Sequence, residues 1–426
     1  MTHFGIICPA ANGHLNPMTA LGRELQRRGH RVTIVSILDA QSNALAAGLE
    51  FRSFAESELP MGMTKQSLAQ LGQLNGLAAF RYTANMFKES ATLLLQYAPQ
   101  VVREAGIDAL LVDESTLMGG SVAEFLQIPF VTVSCALMLY REEVVPPFFT
   151  PWSYQLAWWA ILRNRFGYSL LNRISQPILD VINKYRQQWN LPVYSRALEF
   201  HSKLAMLSQQ PAEFEFPRRE LPPWFHFTGP YSDSTGREKV DFPFEKLTGQ
   251  PLIYASMGTI QNRIQYVFHL IAKACEELDA QLVISLGGAF APEELPKLPG
   301  NPLIVKYAPQ LELLQKTTLT ITHAGMNTTL ESLSNGVPMV AIPIANDQPG
   351  VAARIAWTGT GEFIPLSRLS VPKLRAAIHQ VLTQDSYKQN ALRLQEAIRR
   401  AGGVSRAADV VEQAISTGKP VLCSAN

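Results

Sequence analysis

Short apolar runs alternate with helix-period segments along this chain, and the whole alternation occurs twice. Residues 3–11 (HFGIICPAA) read as a buried strand, Leu15 to Arg28 follow with helical spacing and stop at Gly29, and residues 31–37 (RVTIVSI) read as a second strand. A strand–helix–strand unit closed by so short a loop is a parallel crossover. ALLVD (109–113) and FVTVSC (130–135) extend the same sheet around a helical stretch from Met118 to Leu126, and long helical candidates occupy 63–105 and 153–189. Residues 209–251 then hold seven prolines and little periodicity, which marks a domain boundary. The pattern restarts with LIYASM (252–257), a helix over 262–278, QLVISL (281–286), PLIVKYA (302–308), LTIT (319–322) and VPMVAIP (337–343). The expected fold class is α/β, with two doubly wound parallel sheets facing across a cleft. The expected divisions are a first domain over 1–215, a linker over 216–250, a second domain over 251–400 and a C-terminal helix and tail over 401–426. Ligands of such sheets sit beyond the carboxyl ends of the strands.

One window says what the ligand is. Tyr307 to Gln348 reads YAPQLELLQKTTLTITHAGMNTTLESLSNGVPMVAIPIANDQ. The LTIT strand ends at His323 and Gly325, and Asn327 and Thr328 open a helix. Free backbone N–H groups and the helix dipole favour a phosphate at such a junction. Glu331 stands four residues after Asn327, on the same side of the helix one turn further in, where a carboxylate can accept both hydroxyls of a ribose. The following strand delivers Asp347 and Gln348 to the same rim, and both suit sugar hydroxyls. Phosphate, ribose and sugar ligands in one window imply a nucleotide sugar. Glu331 favours a ribonucleotide, and hence UDP over TDP, because only the ribose has both hydroxyls.

These dispersed positions over 42 residues resemble the nucleotide-sugar signature of UDP-dependent glycosyltransferases. The HAGMNT core and DQPGVAAR tail look closer to bacterial zeaxanthin glucosyltransferases and macrolide glycosyltransferases. The resemblance implies two Rossmann-like domains of the GT-B type, a UDP-sugar donor with glucose favoured by the Asp347-Gln348 pair, and a C-terminal helix packed back on the first domain. It further implies that Tyr307 stacks on uracil while the Ala308 backbone reads its edge and Gln310 reaches the ribose. His323, Gly325, Asn327 and Thr328 would take the phosphates. The plant signature opens with Trp where this chain has Tyr307, and the window here is two residues shorter. ASMGTIQN (255–262) is a second strand-to-turn passage, in which Gly258 admits the diphosphate and Thr259 offers a hydroxyl or simply caps a helix.

Transfer to a hydroxyl needs a base. His14 directly follows Gly13 where the first strand meets its helix, and a neutral imidazole suits the task. Asp113 ends another parallel strand and can orient that imidazole. Helix capping is the alternative for His14, and Glu114 competes with Asp113. A single displacement would invert the anomeric configuration, and nothing offers the carboxylate nucleophile of a double displacement. A sugar-nucleotide epimerase and a non-catalytic nucleotide-sugar binder are the rival readings.

Other chemistries find no support. GxGxxG is absent after the first strand, against nicotinamide or flavin. No two aspartates stand one residue apart and the histidines lack zinc spacing, so no metal or other cofactor is expected. The net charge of +2, with scattered basic residues, gives no nucleic-acid footprint. Four separated cysteines, no signal sequence and no apolar stretch long enough to span a bilayer point to a reducing cytoplasm. The acceptor is expected to be a lipophilic small molecule, with a hydroxylated carotenoid leading. Residues 146–168 supply Phe148, Phe149, Trp152, Tyr154, Trp158, Trp159, Phe166 and Tyr168 as apolar walls, while Arg163 and Arg165 would let the segment meet a membrane surface without spanning it. The oligomeric state stays open.

Overall fold

The computed structural model describes residues 1–71, 76–195, 197–232, 240–259, 264–288 and 290–423. Strands β1 (His3–Ile7), β2 (Arg31–Ser36), β3 (Glu50–Ser53), β4 (Ala109–Asp113), β5 (Phe130–Ser134), β6 (Met206–Ser208) and β7 (Phe225–Phe227) form one sheet in the order β3-β2-β1-β4-β5-β6-β7. Strands β8 (Leu252–Ser256), β9 (Gln281–Ser285), β10 (Leu303–Val305), β11 (Thr317–Thr322), β12 (Met339–Ala341) and β13 (Gly361–Phe363) form the other, in the order β10-β9-β8-β11-β12-β13. Every pairing in both sheets is parallel. In each sheet the order reverses beside the first strand, so the switch points lie between β1 and β4 and between β8 and β11.

Apolar runs become strands here because both faces are covered. Phe4, Ile6 and Cys8 point into one core and Ile7 into another, while Ala109 and Leu111 alternate with Leu110 and Val112 between the same two cores. β8 repeats the device, with Ile253 and Ala255 on one side and Leu252 and Tyr254 on the other.

The C-terminal helix Gly403–Thr417 closes on the first domain. Ala407, Ala408, Val410, Val411 and Ala414 join the core beneath β1. Arg28 reaches Asp409 at 2.7 Å and Glu412 at 2.6 Å, and His30 meets Glu412 at 2.8 Å. The expected linker needs correction: β7 lies inside 216–250 yet pairs with β6 in the first sheet, so that sheet runs through Phe227. Three-residue strands bounded by prolines are too short to show a period, and the proline density that marked a linker marks their ends. The short strands β3, of four residues, and β13, of three, likewise show no period in the sequence. The expected helix over 153–189 begins only at Trp158, and the residues expected to start the helix at 262 fall partly outside the described residues.

Candidate active site

His14 lies in the first turn of the helix Asn12–Arg27, which follows β1, and Asp113 ends β4. The two therefore flank the first switch point. His14 Nδ1 and Asp113 Oδ2 are 2.9 Å apart; Asp113 is fully buried and the His14 side chain is 21% exposed. No side chain caps this helix, so the capping alternative for His14 lapses. Asp113 Oδ1 accepts from the Ser115 backbone N–H at 2.8 Å and from the Ser115 hydroxyl. With Nδ1 turned to the carboxylate, Nε2 is left for a substrate proton. Burial alone would lower the His14 pKa, but the charge and hydrogen bond of Asp113, helped by Asp347 from the other domain, raise it above its usual value. Burial pushes Asp113 up, yet His14 and Ser115 together hold it below the ordinary carboxylate range. Glu114 turns the other way, into a buried network with Ser134 Oγ (2.6 Å), the Leu139 N–H (3.0 Å) and His201 Nε2 (2.8 Å). It does not compete for His14.

The second switch point carries Gly258 after β8 and His323 after β11. The His323 Nε2 atom lies 2.6 Å from where a Cβ at Gly258 would stand and 2.4 Å from one at Gly325, so any side chain at either position would occupy the place of the ring. Gly258 also has φ +75°. Burial, against the Ser256 backbone beside it, draws the His323 pKa down to about 4. The imidazole is neutral at pH 7, wedged between the two glycine turns. Thr259 is exposed in the same turn. The helix Met326–Ser334 starts from Gly325 with no side-chain cap, which leaves its first N–H groups for a ligand.

Glu331 is buried, and Gln310 Nε2 donates to it at 2.5 Å and to Thr328 Oγ1 at 3.4 Å. Tyr254, which sequence reasoning missed, donates to Gln310 Oε1 at 3.1 Å. Three of the expected donor residues thus form one cluster. The Tyr307 ring is 45% exposed with its hydroxyl lodged against Gly288, where a Cβ would come within 1.9 Å. Ala308 packs beside Tyr254 and Leu313. The Gly287-Gly288 pair after β9 carried a signal that went unread.

Asn327 departs from expectation. Its Nδ2 donates to the Gly13 carbonyl at 2.9 Å and its Oδ1 accepts from Gln209 Nε2 at 2.8 Å, so the side chain joins the two domains at the foot of His14 instead of lying free for a phosphate. Asp347 also crosses, accepting from the Leu137 N–H at 3.0 Å, and burial raises its pKa. Gln348 Oε1 accepts the N–H groups of Ile344 (2.8 Å) and Ala345 (3.0 Å), which leaves its amide nitrogen for a sugar hydroxyl. A further bridge was not foreseen. Arg354, 1% exposed, pairs with Glu215 at 2.5 and 3.1 Å and lies over the Phe216 ring.

The aromatic segment divides. Tyr154 stacks on Phe216, the Tyr168 hydroxyl donates to the Val145 carbonyl, and Phe148 packs in the core around Leu137 and Val351. Trp158 and Phe166, expected as acceptor walls, are 74% and 70% exposed. A continuous sequence run cannot share one wall when its residues leave a helix on opposite sides. Cys8, Cys135 and Cys275 are buried with thiols pushed up by burial, Cys275 to about 12, while Cys423 is exposed. Among the described residues no three His, Cys, Asp or Glu side chains converge as metal ligands, and no helix is long and apolar enough to cross a membrane.

Comparison with known proteins agrees with this geometry. The UDP-glucoronosyl and UDP-glucosyl transferase family profile matches residues 6–400. The chain is 32% identical to a zeaxanthin glucosyltransferase of Pantoea ananas, covering 99% of this chain and 98% of that one. It is 31% identical to a zeaxanthin glucosyltransferase of Pseudescherichia vulneris over 99% and 100% of the two chains. A solved structure, the glycotransferase of kitacinnamycin, superposes with a TM-score of 0.76 at 22% identity, over 97% of this chain and 99% of that one. With two parallel-sheet domains, a His–Asp pair at the first switch point and a match along nearly the whole chain, the protein belongs to the UDP-glucoronosyl and UDP-glucosyl transferase family.

Proposed function

We propose that this UDP-glycosyltransferase moves glucose from UDP-glucose to a hydroxyl of a lipophilic small molecule, a hydroxylated carotenoid first among them, with inversion at the anomeric carbon and without a metal. The His14–Asp113 pair carries the reading, because it lies beside the Gly13 carbonyl on which Asn327 of the second domain rests and feels the charge of Asp347 from that domain. In this mechanism His14 Nε2 takes the acceptor proton as the oxygen attacks, and Asp113 holds the tautomer and balances the imidazolium. UDP leaves toward the uncapped helix at Met326, beside the glycine turns that hold His323. Glu331 accepts the ribose hydroxyls, while Asp347 and the Gln348 amide hold the sugar. The names of the two zeaxanthin glucosyltransferases support the donor and the acceptor class. Family membership removes the epimerase alternative.

A substrate panel tests it. UDP-glucose, UDP-galactose and UDP-GlcNAc would each be offered with zeaxanthin, a macrolide and a flavonol in detergent. The expected product is a zeaxanthin β-glucoside from UDP-glucose. A tenfold preference for another donor, set here as about one decade of kcat/KM, or glucosylation of the flavonol alone, overturns the reading.

Two further outcomes follow from the geometry. Glu331→Ala should weaken UDP-glucose binding by about 1.5–3 kcal/mol per lost bond and TDP-glucose binding less. Equal losses in calorimetry would remove the ribose role. The pH profile carries the second. His14 must be neutral to accept a proton, so kcat/KM rises with pH through its raised pKa. Asp113→Asn removes the charge that raises it, and the ascending limb should move to lower pH while the plateau falls. An unmoved limb would separate Asp113 from the base.

A further inference from the structure

The helix Trp158–Gln188 packs inward through Ala160, Asn164, Gly167 and Ile182, and its opposite side meets solvent. On that side Trp158, Leu162, Phe166 and Leu170 recur every four residues and are 74%, 51%, 70% and 46% exposed. Trp159 widens the row, and Leu156 is exposed just before the helix begins. Single exposed apolar residues are ordinary, but five on one helix face are not.

The charge around this row is one-sided. From Val144 to Leu179 the chain has no Asp or Glu, and it has three arginines, Arg163, Arg165 and Arg173. Arg165 and Arg173 are exposed and share the apolar face by helical spacing. Glu143 pairs with Arg165 at 2.7 Å at the edge of the face. The Arg163 guanidinium lies 4.8 Å from the Trp152 ring and 5.5 Å from the Trp159 ring, so cation and indole are already held together at the rim. A second copy of the same face would set Arg163 and Arg173 against their own kind, with the one carboxylate at the edge, Glu143, already taken by Arg165. Anionic phosphates would neutralise them.

We propose that this face docks the enzyme on the surface of an anionic phospholipid bilayer. The helix lies in the plane of the interface, with the tryptophans, Phe166 and the leucines among the upper acyl chains and the arginines at the headgroups. It does not cross, since no described helix is apolar enough. The proposal is independent of which acceptor the enzyme uses, so acceptor-free vesicles are a sufficient probe.

The experiment is flotation of the full chain with vesicles of phosphatidylcholine alone and of phosphatidylcholine with phosphatidylglycerol. The expected result is binding at least about tenfold stronger to the anionic vesicles, weakened by salt. A double variant, Trp158→Ser with Phe166→Ser, should lose about tenfold or more of that binding while keeping wild-type UDP affinity and circular dichroism. Arg173→Glu, which leaves the apolar row intact, should lower binding to anionic vesicles only. Absence of vesicle binding, equal binding to both compositions, or no change in the variants overturns the proposal. So does a wild-type dimer in sedimentation velocity that the double variant dissociates, because a second copy would then own the face.

Discussion

Replacing His14 by alanine is expected to lower transfer by about 10²–10⁴-fold while UDP-sugar affinity stays near wild type. The separation of effects comes from the fold. His14 belongs to the first domain, in a helix that follows β1, whereas Gly258, His323, Gln310 and Glu331 all belong to the second. Its imidazole is spent on Asp113 through Nδ1, so its removal takes a base and no donor ligand. Steady-state rates with calorimetric UDP-glucose binding on the same variant check the point. Wild-type turnover would take His14 out of the mechanism. A matching fall in donor affinity would instead mean that the ring supports the Gly13 carbonyl on which Asn327 rests.

The second large effect is on stability. Glu215→Ala should cost about 3–5 kcal/mol, since it strands the guanidinium of a buried Arg354. Burial opposes both charges, but Arg354 with Arg218 holds Glu215 below the ordinary carboxylate range, so the pair is ionised at neutral pH. Gln210 Nε2 also donates to Glu215 at 2.7 Å, and Arg354 donates to the Gly350 carbonyl at 3.0 Å, so loss of the carboxylate unsettles both sides of the seam. Urea unfolding compares Glu215→Ala with the double variant Glu215→Leu, Arg354→Met. The apolar double should recover part of the loss, because it removes the stranded Arg354 charge while Arg218 still lacks its carboxylate. Equal instability of the two variants would show that packing around Phe216, and not charge, holds the seam.

The fold class was legible in the residues, for a local reason. Parallel strands covered on both faces must be short apolar runs, so β1, β2, β4, β5, β8, β9 and β11 announce themselves. A ring packed against two strand-to-helix turns needs glycine at both, so Gly258, His323 and Gly325 stand in one readable pattern. His14 and Asp113 are 99 residues apart, but each ends or follows a strand, and strand ends at a switch point converge.

What was hidden has no local period. Strands β6 and β7 are three residues each, too short to alternate, and proline around them imitates a linker. The seam pairs Glu215 with Arg354 over 139 residues and Gln209 with Asn327 over 118, and no spacing rule connects side chains of two separately folded sheets. Whether Glu114 or Asp113 faces His14 turns on one residue's direction at the end of β4. The 3₁₀ turn after the strand aims Asp113 at the cleft and Glu114 at His201. The aromatic run from Phe148 to Tyr168 reads as a single apolar wall until the helix at Trp158 sends Tyr168 inward and Trp158 and Phe166 outward. Composition along a chain records how much apolar surface there is. Which way each side chain points depends on where the helix begins and on what the other domain presses against it.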